Sequence, residues 1–329
     1  MNLLTRDNSS LSEPNRTPND GVFGSFAVRF TSGLDDRLKG IIDASLADAT
    51  RTAYRVDLER FLNWGGSVPT TDLQIATYLA DHAATHAPAT LTRWVASIAK
   101  GHRAAGFQSP TGSELVRATL QGIRRSHGAA QRQAKPLLRD DLFSVLDATG
   151  SDIRDVRDRA LLLLGFGGGF RRSELVGLEV PDLEQVRQGL VVTLRQSKTD
   201  QEGAGRKIGI PLGRTRWCPV AALTRWLDIA GITEGPMFRP VDRHGNIGAG
   251  RLSGEAVSIV IRERVAAAGI DPSGYSGHSL RAGFATSAAQ AGVSTLKIRA
   301  QTGHASDAML ARYIRDGELF VDNAAGAVL

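Results

Sequence analysis

Cysteine is all but missing from this sequence. Cys218 is the only one in 329 residues, so neither an intramolecular disulfide nor a Cys-rich zinc site can hold the chain together. No run approaches the ~18 consecutive apolar residues of a membrane-spanning helix. The first residues, MNLLTRDNSSLSEPNRTPND, also lack the charged-then-apolar pattern of a secretory signal. The expectation is a protein of a reducing compartment, the cytoplasm. Aromatic residues are sparse at 6%, yet hydrophobic residues at 42% and charged residues at 22% are ordinary for a globular protein, which excludes a collagen, a coiled-coil rod and a disordered tail. At about twice the size of a typical domain, the chain is expected to fold as two units.

Acidic residues are scarce in one place. Between residues 91 and 136 stand Arg93, Lys100, Arg103, Arg117, Arg124, Arg125, Arg132 and Lys135 against Glu114 alone, which more than accounts for the +6 formal charge of the whole chain. A solvated basic face is the ordinary reading of such a cluster. A phosphate-tracking surface is the sharper one, because Lys and Arg on adjacent helices neutralise several phosphates and release their counterions.

Residues 1–34 show no sustained periodicity and read as a flexible arm. Over 35–126 the spacing is helical: Tyr54, Leu58, Phe61 and Leu62 form one stripe, Leu91, Trp94, Val95 and Ile98 another, and Ser113 caps a helix that buries Leu115, Val116, Leu120 and Ile123. The polar, stripe-free stretch ending in Pro136 places a linker at 127–136. From 137 to 329 helical patterns resume, interrupted by β-like stretches at 190–195 and 207–212 that the polar SKTDQEGAG joins as a hairpin. Cys218-Pro219 and Ser253 open further helices. The expected fold class is mainly α: a helical bundle, then a mostly helical domain with a small antiparallel β-sheet.

Nucleotide and metal sites find little support. The run GFGGGF at 165–170 fits neither the dinucleotide fingerprint nor a phosphate loop ending in Gly-Lys-Ser/Thr, and reads as a turn. His82 and His86 lack a third ligand at metal spacing, and acidic residues are scattered singly, so no metal and no cofactor is expected. The segment 276–316 is more informative. His278 and Arg281 share one face at the start of a small-residue helix, where N–H groups and the dipole favour an anion. Gly303-His304 reads as the opening of a last helix, on which Tyr313 follows.

Taken in order, Gly169-Phe170-Arg171-Arg172-Ser173-Glu174-Leu175, the Ser197-Lys198-Thr199 of the hairpin, His278-x-x-Arg281, Gly303-His304 and Tyr313 resemble the tyrosine site-specific recombinases, the phage integrase family, and within it Cre-type recombinases most. The resemblance spans residues 36–325. It implies a helical core-binding domain and a catalytic domain clamped around duplex DNA, and strand cleavage through a 3′-phosphotyrosyl intermediate without metal or ATP. Tyr313 is then the nucleophile, Arg171 and Arg281 stabilise the phosphate, His278 takes the tyrosyl proton, His304 bonds a phosphate oxygen and Glu174 orients the cluster. Lys198 protonates the leaving 5′-oxygen, with Lys207 in the second strand as competing candidate.

The implied partner is double-stranded DNA with inverted half-sites, bound by a dimer and paired into a tetramer through a tail helix at 318–329. Two other readings stay open: a type IB topoisomerase-like relaxing enzyme, and a DNA-binding protein without catalysis.

Overall fold

The computed structural model describes residues 48–128, 134–195, 205–317 and 325. The expected arm, Arg132 and Lys198 lie outside the described residues, as does the expected tail helix except for Ala325. The chain divides into two compact units, one ending at Arg132 and the other beginning at Gln133.

Among the described residues the first unit is a bundle of α1 (Asp48–Asn63), α2 (Asp72–His82), α3 (Pro88–Ala104) and α4 (Glu114–His127). Their starts follow from capping chemistry. The Thr71 and Ser113 hydroxyls accept the orphan N–H groups of Gln74 and Val116, and Pro88 opens α3 where its missing N–H is harmless. α1 packs on α3 and α2 on α4, burying Phe61, Tyr78, Leu79, Leu91, Trp94 and Ile98. His82 and His86 rest their rings on Trp94, with centroids 5.3 and 4.7 Å apart, which gives the pair a packing role.

The second unit is built around α6 (Ile153–Gly167), whose apolar run 160–164 is buried on every side. α5 (Arg139–Asp147) precedes it and the short α7 (Arg172–Gly177) follows. A three-stranded antiparallel sheet comes next: β1 (Leu183–Val186), β2 (Gly189–Leu194) and β3 (Arg206–Pro211), in that spatial order. Leu190 pairs with Ile210 and Val192 with Ile208, and this alternation puts all four side chains on the core face. β1 has no counterpart in the sequence reading, because four residues are too few to show a period.

α8 (Pro219–Ala230), α9 (Gly254–Ala267), α10 (Ser279–Gln290), α11 (Thr295–Thr302) and α12 (Asp307–Gly317) complete the described unit, with α8 and α10 packed directly on α6. Gly283 sits where α10 meets the strand-like segment before α5: a Cβ there would stand 1.8 Å from the Leu137 carbonyl oxygen. Leu137 N–H donates to Ser279 O at 3.0 Å along the same contact.

One expectation is corrected here. Gly303-His304 does not open the last helix; Gly303, at φ 66°, closes α11 in the left-handed conformation, and α12 begins only at Asp307. His304 therefore sits in a turn.

Candidate active site

The turn after α6 delivers the first arginine. Arg171 caps α7 in extended conformation, and Glu174, three residues on, folds back to accept its backbone N–H at 2.9 Å and its Nη1 at 2.5 Å. The Glu174 side chain is only 3% exposed, so little water screens this pair. Arg171 Nη2 reaches across to donate to Gly303 O at 3.2 Å.

The second arginine comes from α10. His278 is its N-cap residue and Arg281 lies one turn further in, fully buried. Arg281 Nη1 donates to Gly169 O at 2.8 Å and to Thr302 O, joining the α6–α7 turn to the end of α11. Its Nη2 is buried with no hydrogen-bond partner among the described residues. Burial and the neighbouring Arg171 charge lower its pKa to about 10, which still leaves it cationic at neutral pH.

The two histidines bracket the tyrosine. Tyr313, on α12, places its hydroxyl 2.6 Å from His278 Nε2, and its ring centroid lies 5.8 Å from that of His304. Burial, with the Arg281 and Arg171 charges, holds His278 below the usual histidine range. The same causes, joined by His278 and Arg206, push His304 down to about 3. Both imidazoles are thus neutral at pH 7, and His278 Nε2 offers a lone pair to the tyrosyl proton. His304 Nδ1 lies 2.7 Å from Thr302 Oγ1, which fixes the ring in its turn.

Arg171, Arg172, His278, Arg281, His304 and Tyr313 line one open cavity of about 540 Å³. Cationic guanidiniums, neutral imidazoles and a phenol facing one space suit an anionic tetrahedral centre attacked by an oxygen nucleophile. Among the described residues no group of three His, Cys, Asp or Glu could hold a metal ion. No helix in the described residues is long and apolar enough to cross a membrane.

Of the sequence candidates, Arg171, Glu174, His278, Arg281, His304 and Tyr313 converge. Lys207 is exposed, on the face of β3 opposite to Ile208 and Ile210, and does not line the cavity. Among the basic candidates of the first unit, Arg103, Arg117, Arg124 and Arg125 are exposed on α3 and α4 and Lys100 is half-buried. Arg93 is held 3.0 Å from the buried Asp57, Arg117 pairs with Glu114, and Arg124 donates to Thr92. Lys135, in the second unit, lies over the Tyr275 ring. Sequence reasoning missed Arg206, which enters the cluster beside Glu174 and Gly303. Its period-2 register with Ile208 and Ile210 was the available signal.

The phage integrase family pattern matches residues 135–318. The chain is 40% identical over 301 residues to the integrase/recombinase XerD homolog of Selenomonas ruminantium, covering 88% of each chain. It is 27% identical to recombinase Cre of Escherichia phage P1, covering 69% of each. A lambda integrase dimer bound to a COC′ core site shares the fold, with a TM-score of 0.61 at 21% identity over 85% of this chain and 94% of that one. This chain belongs to the phage integrase family and is a tyrosine site-specific recombinase.

Proposed function

We propose that the chain cleaves and rejoins duplex DNA through a covalent bond between Tyr313 and a 3′-phosphate. The observation that carries this is the 2.6 Å contact between the Tyr313 hydroxyl and His278 Nε2 in a cavity that Arg171, Arg172 and Arg281 also line. A tyrosine hydroxyl has an ordinary pKa of about 10 and attacks poorly while protonated. His278, kept neutral by burial, accepts that proton as the phenolic oxygen bonds to phosphorus. The phosphorus–O5′ bond breaks, and Lys198 supplies the proton that the leaving 5′-oxygen needs. That lysine is preferred over Lys207 because Lys207 is exposed on β3 and does not line the cavity.

The phosphate gains negative charge during attack. Arg171 and Arg281 meet it with planar donors, and the unpartnered Nη2 of Arg281 is available to it. His304 supplies a bond to a phosphate oxygen. The phosphotyrosyl ester conserves the energy of the broken bond, and a free 5′-hydroxyl from a partner strand reverses the step; neither ATP nor a metal enters the balance.

By kinship with recombinases solved on DNA as a dimer and as a tetramer on a Holliday junction, the substrate is duplex DNA with two inverted half-sites, each bound by one protomer. Two such dimers pair into a tetramer through the tail at 318–329. The exposed arginines of α3 and α4 provide the sequence-independent phosphate contacts. The protein acts in the cytoplasm.

Trapping on a nicked suicide duplex tests the chemistry. Wild type is expected to form a protein–DNA adduct that Tyr313→Phe abolishes while binding DNA normally. Absence of the wild-type adduct would overturn the reading and favour a DNA-binding protein without catalysis. Efficient relaxation of site-free plasmids by monomers would favour a topoisomerase.

A further inference from the structure

Arg206 belongs to no motif in the sequence, yet it sits at the junction of three parts of the site. It begins β3 on the same face as Ile208 and Ile210, which turns a guanidinium toward the core. Its Nη1 donates to Ala300 O at 3.1 Å and to Gln301 O at 2.8 Å. These carbonyls belong to the last turn of α11, where helix oxygens lack intrahelical donors and a cation is favoured. Its Nη2 stands 3.7 Å from Glu174 Oε2, the carboxylate that also holds Arg171. Its flat face lies against Gly303, where a Cβ would come within 2.6 Å of Cζ.

We propose that Arg206 is a positioning residue for strand cleavage: it holds Glu174, and through it Arg171, in register with the Gly303–His304 turn. The inference rests on the phosphotyrosyl reading above. Glu174 stands between two guanidiniums, its Oε1 bonded to Arg171 Nη1 and its Oε2 taking the Arg171 N–H while facing Arg206. Gly303 in turn gives its carbonyl to Arg171 and its bare Cα face to Arg206. The two contacts link the arginine of α7 to the histidine turn, Arg206 reaching Glu174 through a 3.7 Å ion pair. A lysine cannot take this place, because one ammonium is a point charge and cannot reach the α11 carbonyls and Glu174 at once.

The half-buried charge adds an electrostatic effect of the same sign as the geometry. Arg206 is one of the cations that keep His304 neutral.

The test is a double-mutant cycle on the full chain, read as the single-turnover rate of cleavage of a suicide duplex at saturating protein. Rates are divided by the fraction of protein that binds duplex, which removes any loss from misfolding. Arg206→Lys is expected to bind duplex within about twofold of wild type and to cleave ~10- to 100-fold more slowly, the scale of a small misplacement of reacting groups. In a Glu174→Gln background the same substitution is expected to slow cleavage by no more than about threefold, because the two residues act as one unit. A wild-type rate in Arg206→Lys, or losses that multiply fully in the double variant, would overturn the inference alone. If wild type forms no adduct, the phosphotyrosyl reading falls and this inference falls with it.

Discussion

Replacing Glu174 by glutamine removes the one carboxylate on which the arginine cluster turns while keeping its shape. Glu174 accepts two hydrogen bonds from Arg171, at 2.9 and 2.5 Å, and faces Arg206 at 3.7 Å. Bonds to charged groups contribute about 1.5–3 kcal/mol each. A glutamine oxygen still accepts the Arg171 backbone N–H, but its amide hydrogens then confront guanidinium donors. One charged bond and one ion pair are lost, or about 3 kcal/mol, and the near-complete burial of Glu174 leaves little solvent screening to discount. For a unit of this size that corresponds to a fall of roughly 6–12 °C in melting temperature.

Cleavage of a suicide duplex should slow by ~10- to 100-fold as Arg171 loses its orientation. Affinity for a duplex that cannot be cleaved should hold or rise, since one negative charge has left a cationic cavity. Slower cleavage without weaker binding is the signature. A Glu174→Gln protein that melts within about 1 °C of wild type and cleaves at the same rate would refute the reasoning.

Further outcomes follow from the same geometry. In the DNA-free protein, NMR titration should show His278 protonating below the usual histidine range and His304 near pH 3. The unfolded chain then binds more protons than the folded one below about pH 6.5, so stability should be complete above that pH and be lost as pH falls toward the folded values. Gly283→Ala drives a Cβ to 1.8 Å from Leu137 O and should destabilise the second unit by at least ~1–3 kcal/mol in calorimetry. Gly122→Ala, on α4 with nothing within 4 Å, should stabilise by about 0.5–1 kcal/mol. A 5′-phosphorothiolate substrate, whose leaving group needs no acid, should restore cleavage by Lys198→Ala; rescue of Lys207→Ala in its place would move the general-acid role to Lys207.

Local signals made the helices legible. Ser113, Ser253 and Cys218-Pro219 each begin a helix because a side-chain acceptor meets an orphan N–H there, and that chemistry is written within four residues of chain. His278, Arg281 and Tyr313 were legible as a spaced set through a family resemblance, and the structure brings all three to one cavity. The last turn of α11 was misread because a Gly-His pair serves equally at either end of a helix. Only the φ of 66° at Gly303 decides which. Arg206 stayed hidden because its meaning depends on a strand register and on a contact with residues 94 and 95 positions away.

Tyr313 sits on α12, whose described side chains join a small cluster of their own. α12 packs through Leu310 against Ala285, Ala289 and Ile298, a cluster separate from the main core, while Leu175 and Leu280 anchor the arginine half of the site within that core. Among the described side chains α12 adds Leu310 and the partly buried Tyr313 to that small cluster, whereas α7 and α10 carry residues of the main core, so α12 is the helix expected to open at lower cost. Opening α12 would then carry Tyr313 away while Arg171 and Arg281 stay anchored beside the main core. Such an arrangement would act as a safety catch, in which a recombinase keeps its tyrosine on the part of the unit cheapest to withdraw. Amide exchange faster along α12 than along α6 would be its visible trace.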